Sequence, residues 1–506
     1  ALMVRERPLI FPTSTTTDLL VRAIGAALVN AEHPTRGEEP FLLVEVSGTG
    51  APVSMLTMTR DGTIRRWGPD ELAALILANV QPANKSKKKV KDPDTGEVKE
   101  VETITYRHGL EPGVVDSVFP GGVPLTGLSA VRYVAESPVL TAEGVAISEP
   151  GYHRDRRALV AIPRREAKLW TGYRVPETPT KAQAQAAFDL LVTELTSDFP
   201  WDTDGDRARF IAYLLTAVSR SLYAAAPGFL FDAADRGSGK SLLASVGRLL
   251  AFGSVKRQTV GYSSREDEET RKALVSAAQG GLRAVHVDEL PRGEKVTSTV
   301  LSELITDAGG MEIRKLGTNA NVLIPPLLVS ICGNNAELGS DANRRFVAIR
   351  LVHSGHGLAF ERNGFRHADL HAFAQTNRPR LLAAAHTVLA HGIQNPTKTP
   401  SGFGSFEGWA AVVLASLAHV TIDGVNAADL VVDGRSEFLD AQDEEGQDWA
   451  EFMVAAHSLF GGQWVKVSDL YTKLKGTSPA LELPADLLAF AGQGEARPSC
   501  RWGKAQ

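Results

Sequence analysis

Residues 228–253 read GFLFDAADRGSGKSLLASVGRLLAFG. Positions 228–234 form a short apolar run that fits a buried strand. Positions 240–253 have helical periodicity and close on a glycine. The stretch between them, Ala234-Asp235-Arg236-Gly237-Ser238-Gly239-Lys240-Ser241, is a glycine-rich turn joining strand to helix. Residues 225–352 continue to alternate strand and helix signals, which predicts a parallel sheet with helical crossovers.

Such a turn exposes successive backbone N–H groups at a helix N-terminus, where partial positive charge collects. Those groups can wrap a polyphosphate. Lys240 is expected to reach the β- and γ-phosphates, and the Ser241 hydroxyl to bind Mg²⁺. Ala234, Arg236, Gly237, Ser238, Gly239 and Leu242 complete the expected cradle. Ala234 stands where the pattern G-x-x-x-x-G-K-[ST] has its first glycine. Alanine is tolerable there if its φ is negative.

Three later features belong to the same chemistry. GLRAVHVDEL (281–290) is an apolar run ending in Asp288-Glu289. Asp288 suits Mg²⁺ held through water, and Glu289 suits orientation and activation of an attacking water. The run from Pro325 ends in Gly333-Asn334-Asn335. A strand-end amide there can hydrogen-bond the attacking water and the γ-phosphate. The sequence does not choose between Asn334 and Asn335, and either could equally form a turn. Arg344-Arg345 then precede another apolar run. They fit an arginine finger acting on a neighbouring subunit, or a surface ion pair.

The chain has 506 residues, enough for several domains. Its net charge of -5 offers no global basic field, so contact with nucleic acid requires a local patch or a pore. Two cysteines, Cys332 and Cys500, exclude a disulfide scaffold and fit a reducing cytoplasm. No apolar run is long enough for a membrane span, and the start lacks the order of a signal peptide. It also lacks an initiator methionine, which leaves room for upstream sequence. Four blocks are expected: a small α/β domain at 1–178, a helical segment at 179–226, the core at 227–355, and a mostly helical block at 356–506. Thr180 is a plausible N-cap, and QWVKVSDLYTKLKG (463–476) fits the start of a winged-helix element. In the first block, NKSKKKVKDPDTGEVKEVE (84–102) reads as a solvated hairpin tip or disordered loop. The functional alternative is a DNA-contacting finger built on Lys85, Lys87, Lys88, Lys89 and Lys91.

The order A-x4-G-K-S, V-D-E, G-N-N and D-x-x-R-R-F resembles the helicase/ATPase module of primase-helicases from phages, plasmids and integrated elements. That module is related to superfamily 3 helicases and the AAA+ class. SDFPWDTDGDRARFIAYLLTAVSR before the loop and GSFEGWAAVVLASL after the core look similar too, and the resemblance spans roughly 140–440. It implies an α/β fold: a P-loop AAA+/superfamily 3-like ATPase core with a small N-terminal α/β domain and a mostly helical C-terminal domain. It further implies ATP and Mg²⁺ as ligands and a homo-oligomeric, usually hexameric, ring around single-stranded DNA. A primase or primase-polymerase domain or protein often accompanies such modules, but residues 1–178 show no primase carboxylate motif. The sequence departs from the family at Ala234, Asp235 and Arg236, where glycine, proline or small residues are commoner.

In similar helicases a hairpin before the sensor strand enters the ring pore. Here Met311–Leu316 and Asn321–Ile324 read as its strands, with Arg314 and Lys315 as DNA contacts; an ordinary hairpin packed on the core is the alternative. His353, His356, His367 and His371 lack the third ligand and the glutamate of a zinc motif. The leading expectation is an ATP-driven DNA helicase or translocase. The alternatives are an ATP-dependent initiator or regulator that assembles on DNA without translocating, and an ATPase of a defence system.

Overall fold

A computed structural model describes residues 7–12, 17–31, 40–46, 52–91, 93, 97–110, 113–118, 127–234, 237–253, 267–279, 283–288, 290, 295–296, 298–307, 311–314, 321–324, 327–338, 340–352, 364–398, 403–433, 454 and 457–458. Chain contacts divide it into two units, Ala1–Gly434 and Arg435–Gln506. The fold is mixed α/β, and everything below lies in the first unit. The winged-helix expectation at 463–476 falls outside the described residues. Among the described residues no helix is long and apolar enough to cross a membrane.

The first part of the chain builds small sheets. β1 (Leu9–Ile10) precedes α1 (Thr17–Val29), β2 (Leu43–Val46), β3 (Pro52–Met58), β4 (Ile64–Arg66) and α2 (Pro69–Asn79). β5 (Gln81–Lys91) and β6 (Val98–Tyr106) follow, then α3 (Val114–Val118) and β7 (Ser129–Val131). One sheet has the order β4-β3-β2-β7 and another β1-β5-β6. Leu20, Ile24 and Leu28 of α1 meet Val44, Met55, Leu72 and Ile76 in a dry cluster. The segment 84–102, expected as a hairpin tip or a disordered loop, lies largely in the paired strands β5 and β6. Lysines of β5 oppose glutamates and β-branched residues of β6 across the ladder. Such cross-strand pairs stabilise a strand that composition alone assigns to a loop.

Short strands β8 (Tyr133–Ala135), β9 (Val139–Leu140), β10 (Ala146–Ile147), β11 (Gly151–His153) and β12 (Ala158–Val160) lead to two helices. α4 (Lys181–Thr196) begins at Thr180, as its sequence suggests. The Thr180 Oγ1 accepts from the Gln183 N–H, and the Gln183 Oε1 accepts from the Thr180 N–H. α5 (Asp204–Ser219) repeats the device with Thr203 and Asp206.

The central sheet is parallel, with β13 (Gly228–Ala233), β14 (Ala284–Val287), β18 (Leu328–Asn334) and β20 (Phe346–Leu351) in the order β14-β18-β13-β20. Every residue of β13 and β14 is buried, as expected for strands covered on both faces. α6 (Lys240–Phe252) crosses from β13 and packs on α5. A Cβ on Gly247 of α6 would lie 2.3 Å from the Tyr213 ring, and the Tyr213 hydroxyl donates to the Ala244 carbonyl at 2.6 Å. α6 ends on Gly253 at φ +69°, a left-handed conformation that favours glycine.

Around the sheet lie α7 (Asp267–Gln279), the pair β15 (Lys295–Val296) and β19 (Glu337–Leu338), α8 (Thr299–Thr306), the hairpin β16 (Met311–Arg314) and β17 (Asn321–Ile324), and α9 (Ser340–Asn343). α10 (Leu370–Thr376) and α11 (Arg378–Gln394) follow. Arg378 opens α11 buried beneath α6, donating to the carbonyls of Leu250 and Ala251 at 3.0 and 3.1 Å. A cation there satisfies carbonyls that the helix end leaves without partners.

Candidate functional site

The loop entering α6 takes its shape from two glycines. Gly237 and Gly239 have φ of +78° and +100°, a region that side chains resist. A Cβ on Gly239 would also lie 2.7 Å from the Phe199 ring. Ala234 needs no such freedom: among the described non-glycine residues only Arg157, Asn335, Ser405 and Asp423 have positive φ. The alanine at the strand exit therefore costs the backbone nothing. Asp235 and Arg236 lie outside the described residues.

Parallel pairing brings three strand ends to this loop. Ala233 pairs with Asn334, and Val287 with Ile331, so Asn334 and Asp288 emerge beside Lys240 and Ser241. The buried Lys240 Nζ donates to the Asn334 Oδ1 at 2.9 Å and to the Ser238 Oγ at 3.1 Å. The Ser241 hydroxyl donates to the Asp288 Oδ1 at 2.8 Å. A cavity of about 290 Å³ opens here, lined by residues 237–242 and by Cys332, Gly333 and Asn334. Glu289 lies outside the described residues, while the Leu290 N–H donates to the Cys332 carbonyl at 2.9 Å. The two asparagines part company. Asn334 faces Lys240, whereas Asn335 turns the chain at φ +49° and its N–H donates to the Ala233 carbonyl.

Donor chemistry separates two metal readings. Ser241 and Asp288 present hard oxygens side by side, which suits Mg²⁺. Behind them, the His286 Nε2 lies 3.7 Å from the Asp288 Oδ1 and 4.0 Å from the Cys332 Sγ. Burial pushes the Cys332 thiol up to about 12, so it stays protonated and is a poor ligand. The His286 Nδ1 is engaged by the Ser330 hydroxyl at 2.9 Å. The other histidines have structural partners. His367 bonds Glu194 at 3.0 Å and stacks on Phe373, while His371 bonds Ser245. His353 and His356 lie outside the described residues.

The remaining expected residues are elsewhere. Arg344 and Arg345 precede β20 at the opposite end of the sheet, where the Gly228 N–H donates to the Arg345 carbonyl at 3.0 Å. The length of β13, about 17 Å at the usual rise per residue, separates them from the loop that enters α6 of their own chain. Arg314 is the last paired residue of β16, opposite Asn321. It is exposed, while Met311 and Ile313 of the same strand are buried, so the hairpin packs one face on the core and turns Glu312 and Arg314 outward. Lys315 lies outside the described residues.

Two positioning carboxylates escaped the sequence reading. The Asp232 Oδ1 accepts the Ala336 N–H at 3.0 Å and so fixes the turn beyond Asn334. Burial pushes its carboxyl up from the ordinary value, against the pull of that N–H. Asp206 takes the Arg350 N–H at 2.7 Å and the Arg209 guanidinium, pinning edge strand β20 to α5. The spacing Thr203-x-x-Asp206 could have revealed the second through its capping box; Asp232 sits unmarked in an apolar run.

No protein-family model matches the chain, and no curated protein matches it. Solved structures that overlap it include two of one protein region. The A form apo structure of the NrS-1 C-terminal region does so at TM-score 0.35 and 11% identity, covering 74% of this chain and 72% of that one. A second A form apo structure of the same region does so at TM-score 0.31 and 10% identity, covering 82% and 78%. At these values neither overlap bears on what the chain does.

Proposed function

We propose that the chain is a P-loop ATPase of the AAA+/superfamily 3-like class. In this reading it acts as an ATP-dependent helicase or translocase, forming a ring on single-stranded DNA in a phage, plasmid or integrated-element replication module. The observation that carries the reading is the meeting of Lys240, Ser241, Asp288 and Asn334 at one edge of a parallel sheet. That edge is where open α/β sheets bind ligands. The position of β18 between β13 and β14 supports the class, because it brings a strand-end amide between the phosphate loop and the acidic strand.

ATP would lie with its phosphates along residues 237–242. Lys240 would exchange its bonds to Asn334 and Ser238 for phosphate oxygens. Ser241 and Asp288 would hold Mg²⁺, which supplies positive charge against the phosphates. Glu289 would orient the attacking water, and Asn334 would steady it. Arg345 would serve a neighbouring copy, since its own phosphate loop is at the far end of the sheet.

Strand displacement from a forked DNA tests the motor reading. We expect unwinding with ATP and none with a non-hydrolysable analogue. Hydrolysis without displacement would instead favour an initiator that assembles on DNA. Absence of ATP hydrolysis altogether, with or without single-stranded DNA, would defeat the ATPase reading itself.

A further inference from the structure

A second cavity lies where the sheet β4-β3-β2-β7 meets the helices around the central sheet. Its volume is about 400 Å³, within the usual range for a small-molecule site. The walls come from β2, β3 and β4, from residues 132, 134–140, from α5 and the turn after it, from the end of α6, from α11, and from Arg283 just before β14. It shares no residue with the cavity beside Lys240.

The charged lining is four arginines, Arg66, Arg132, Arg220 and Arg283, against two glutamates, Glu45 and Glu136. His386 also lines the cavity, but burial keeps its ring neutral. The lining therefore carries a net charge of +2. Arg220 serves the fold: its three guanidinium nitrogens donate to the carbonyls of Leu327, Tyr223 and Ala224. Arg66 and Arg283 share a single buried carboxylate. The Arg66 Nη2 lies 3.1 Å from the Glu45 Oε2 and the Arg283 Nη2 lies 2.6 Å from its Oε1. Burial and the neighbouring Arg283 hold the Arg66 guanidinium below its ordinary pKa, as expected where two cations answer to one anion. Arg132 is half-buried, and its Nε is buried with no hydrogen-bond acceptor among the described residues. Glu143, outside the lining, bears on Arg132 but is itself 3.5 Å from Arg156. A buried donor of this kind is costly to leave without an acceptor.

We propose that this cavity binds a nucleoside monophosphate, its phosphate on Arg132 and Arg66 and its base among Val53, Ile64, Leu140 and Leu382. Guanidinium forks match phosphate oxygens in geometry, and Arg283 adds its charge behind them. A phosphate monoester carries about −1.5 to −2 near pH 7, which matches the excess of the lining. A single carboxylate would answer only half of it. Inorganic phosphate has the charge but leaves the apolar side chains uncovered, and a sugar phosphate sets hydroxyls against them. The inference does not rest on the ATPase reading, because none of the residues proposed for hydrolysis lines this cavity.

The test is isothermal titration of the full chain with adenosine monophosphate, in the parent and in Lys240→Ala protein. Both should bind it saturably, with Kd below about 1 mM. Inorganic phosphate, adenosine and glucose 6-phosphate should each bind at least about tenfold more weakly. Arg132→Gln should weaken binding about tenfold or more, and Arg132→Lys, which keeps the charge but not the fork, should weaken it less. Arg132 takes no part in holding Glu45, so both variants should melt with the parent. Binding lost in Lys240→Ala protein would place the ligand at the other cavity and overturn the proposal. So would equal affinity for inorganic phosphate or glucose 6-phosphate, or binding that Arg132→Gln leaves unchanged. Absence of ATP hydrolysis would leave a positive result standing.

Discussion

The two ends of the central sheet hold positive charge in different ways. At the end where β13, β14 and β18 finish, Lys240 is buried and its ammonium is held by Asn334 and Ser238. Ser241 and Asp288 hold each other beside it. At the other end Arg344 is exposed and Arg345 half-buried at the start of β20. The first end is organised before any ligand arrives. Its groups come from positions far apart in sequence and meet because parallel strands finish together. The second end offers mobile-length guanidiniums that cannot turn back along β13 to the first. In the function proposed above, one chain would build the phosphate-binding half and its arginines would complete another chain's half.

The strongest break in that comparison is Lys240→Ala. We expect ATP hydrolysis to fall more than about 1,000-fold, because the lysine would bear on the charge that develops at the γ-phosphate. Folding stability should fall by only about 1.5–3 kcal/mol, the usual worth of a hydrogen bond to a charged group. Hydrolysis by this variant at the parent rate, measured by phosphate release, would mean the organised end is not the site. Arg345→Ala should cost about 1,000-fold, the lower end for an arginine finger, and should leave nucleotide binding to the same chain intact. Mixing it with Lys240→Ala protein sharpens the point. A finger acting between subunits predicts that the two impaired variants together regain about a quarter of the parent activity, whereas no recovery would confine each chain's chemistry to itself.

The contrast also marks where the sequence was readable. The phosphate loop is local: two glycines, a lysine and a serine within five residues, framed by an apolar run and a periodic helix. Asp288 and Asn334 were visible because each ends an apolar run. The order of the strands was not, because buried parallel strands are all continuous apolar runs and none carries a mark of its neighbour. Hence the choice of Asn334 over Asn335 as the residue facing Lys240 came only from the register of Ala233 with Asn334. Asp232 was hidden for the same reason. The β5–β6 hairpin was legible only as an alternative to a disordered loop, because the glutamates that pair with Lys85 and Lys87 stand opposite only after the chain has turned.

The smallest expected effect separates the site from the body that carries it. His386 in α11 is buried and its Nδ1 accepts the Tyr173 hydroxyl at 2.6 Å. Burial pushes its pKa down to about 3, so it is neutral in the folded chain. In the unfolded chain it titrates near 6.5. The unfolded state thus binds the extra proton first, and stability present above about pH 6.5 is lost as pH falls toward 3. Glu45 behaves likewise at lower pH. Burial raises its carboxyl, but Arg283 and Arg66 outweigh burial and hold it near 2, so its contribution is lost only below the ordinary carboxylate range. Between pH 7 and 5 the fall through His386 should be about 2 kcal/mol. His386→Gln keeps an acceptor for Tyr173 and removes the titration. It should be less stable than the parent at pH 8 yet lose less on going to pH 5, read by denaturant melts at each pH. An unchanged slope would exclude His386 as the titrating group. A flattened slope would leave any further acid loss of ATP hydrolysis to the ends of the sheet.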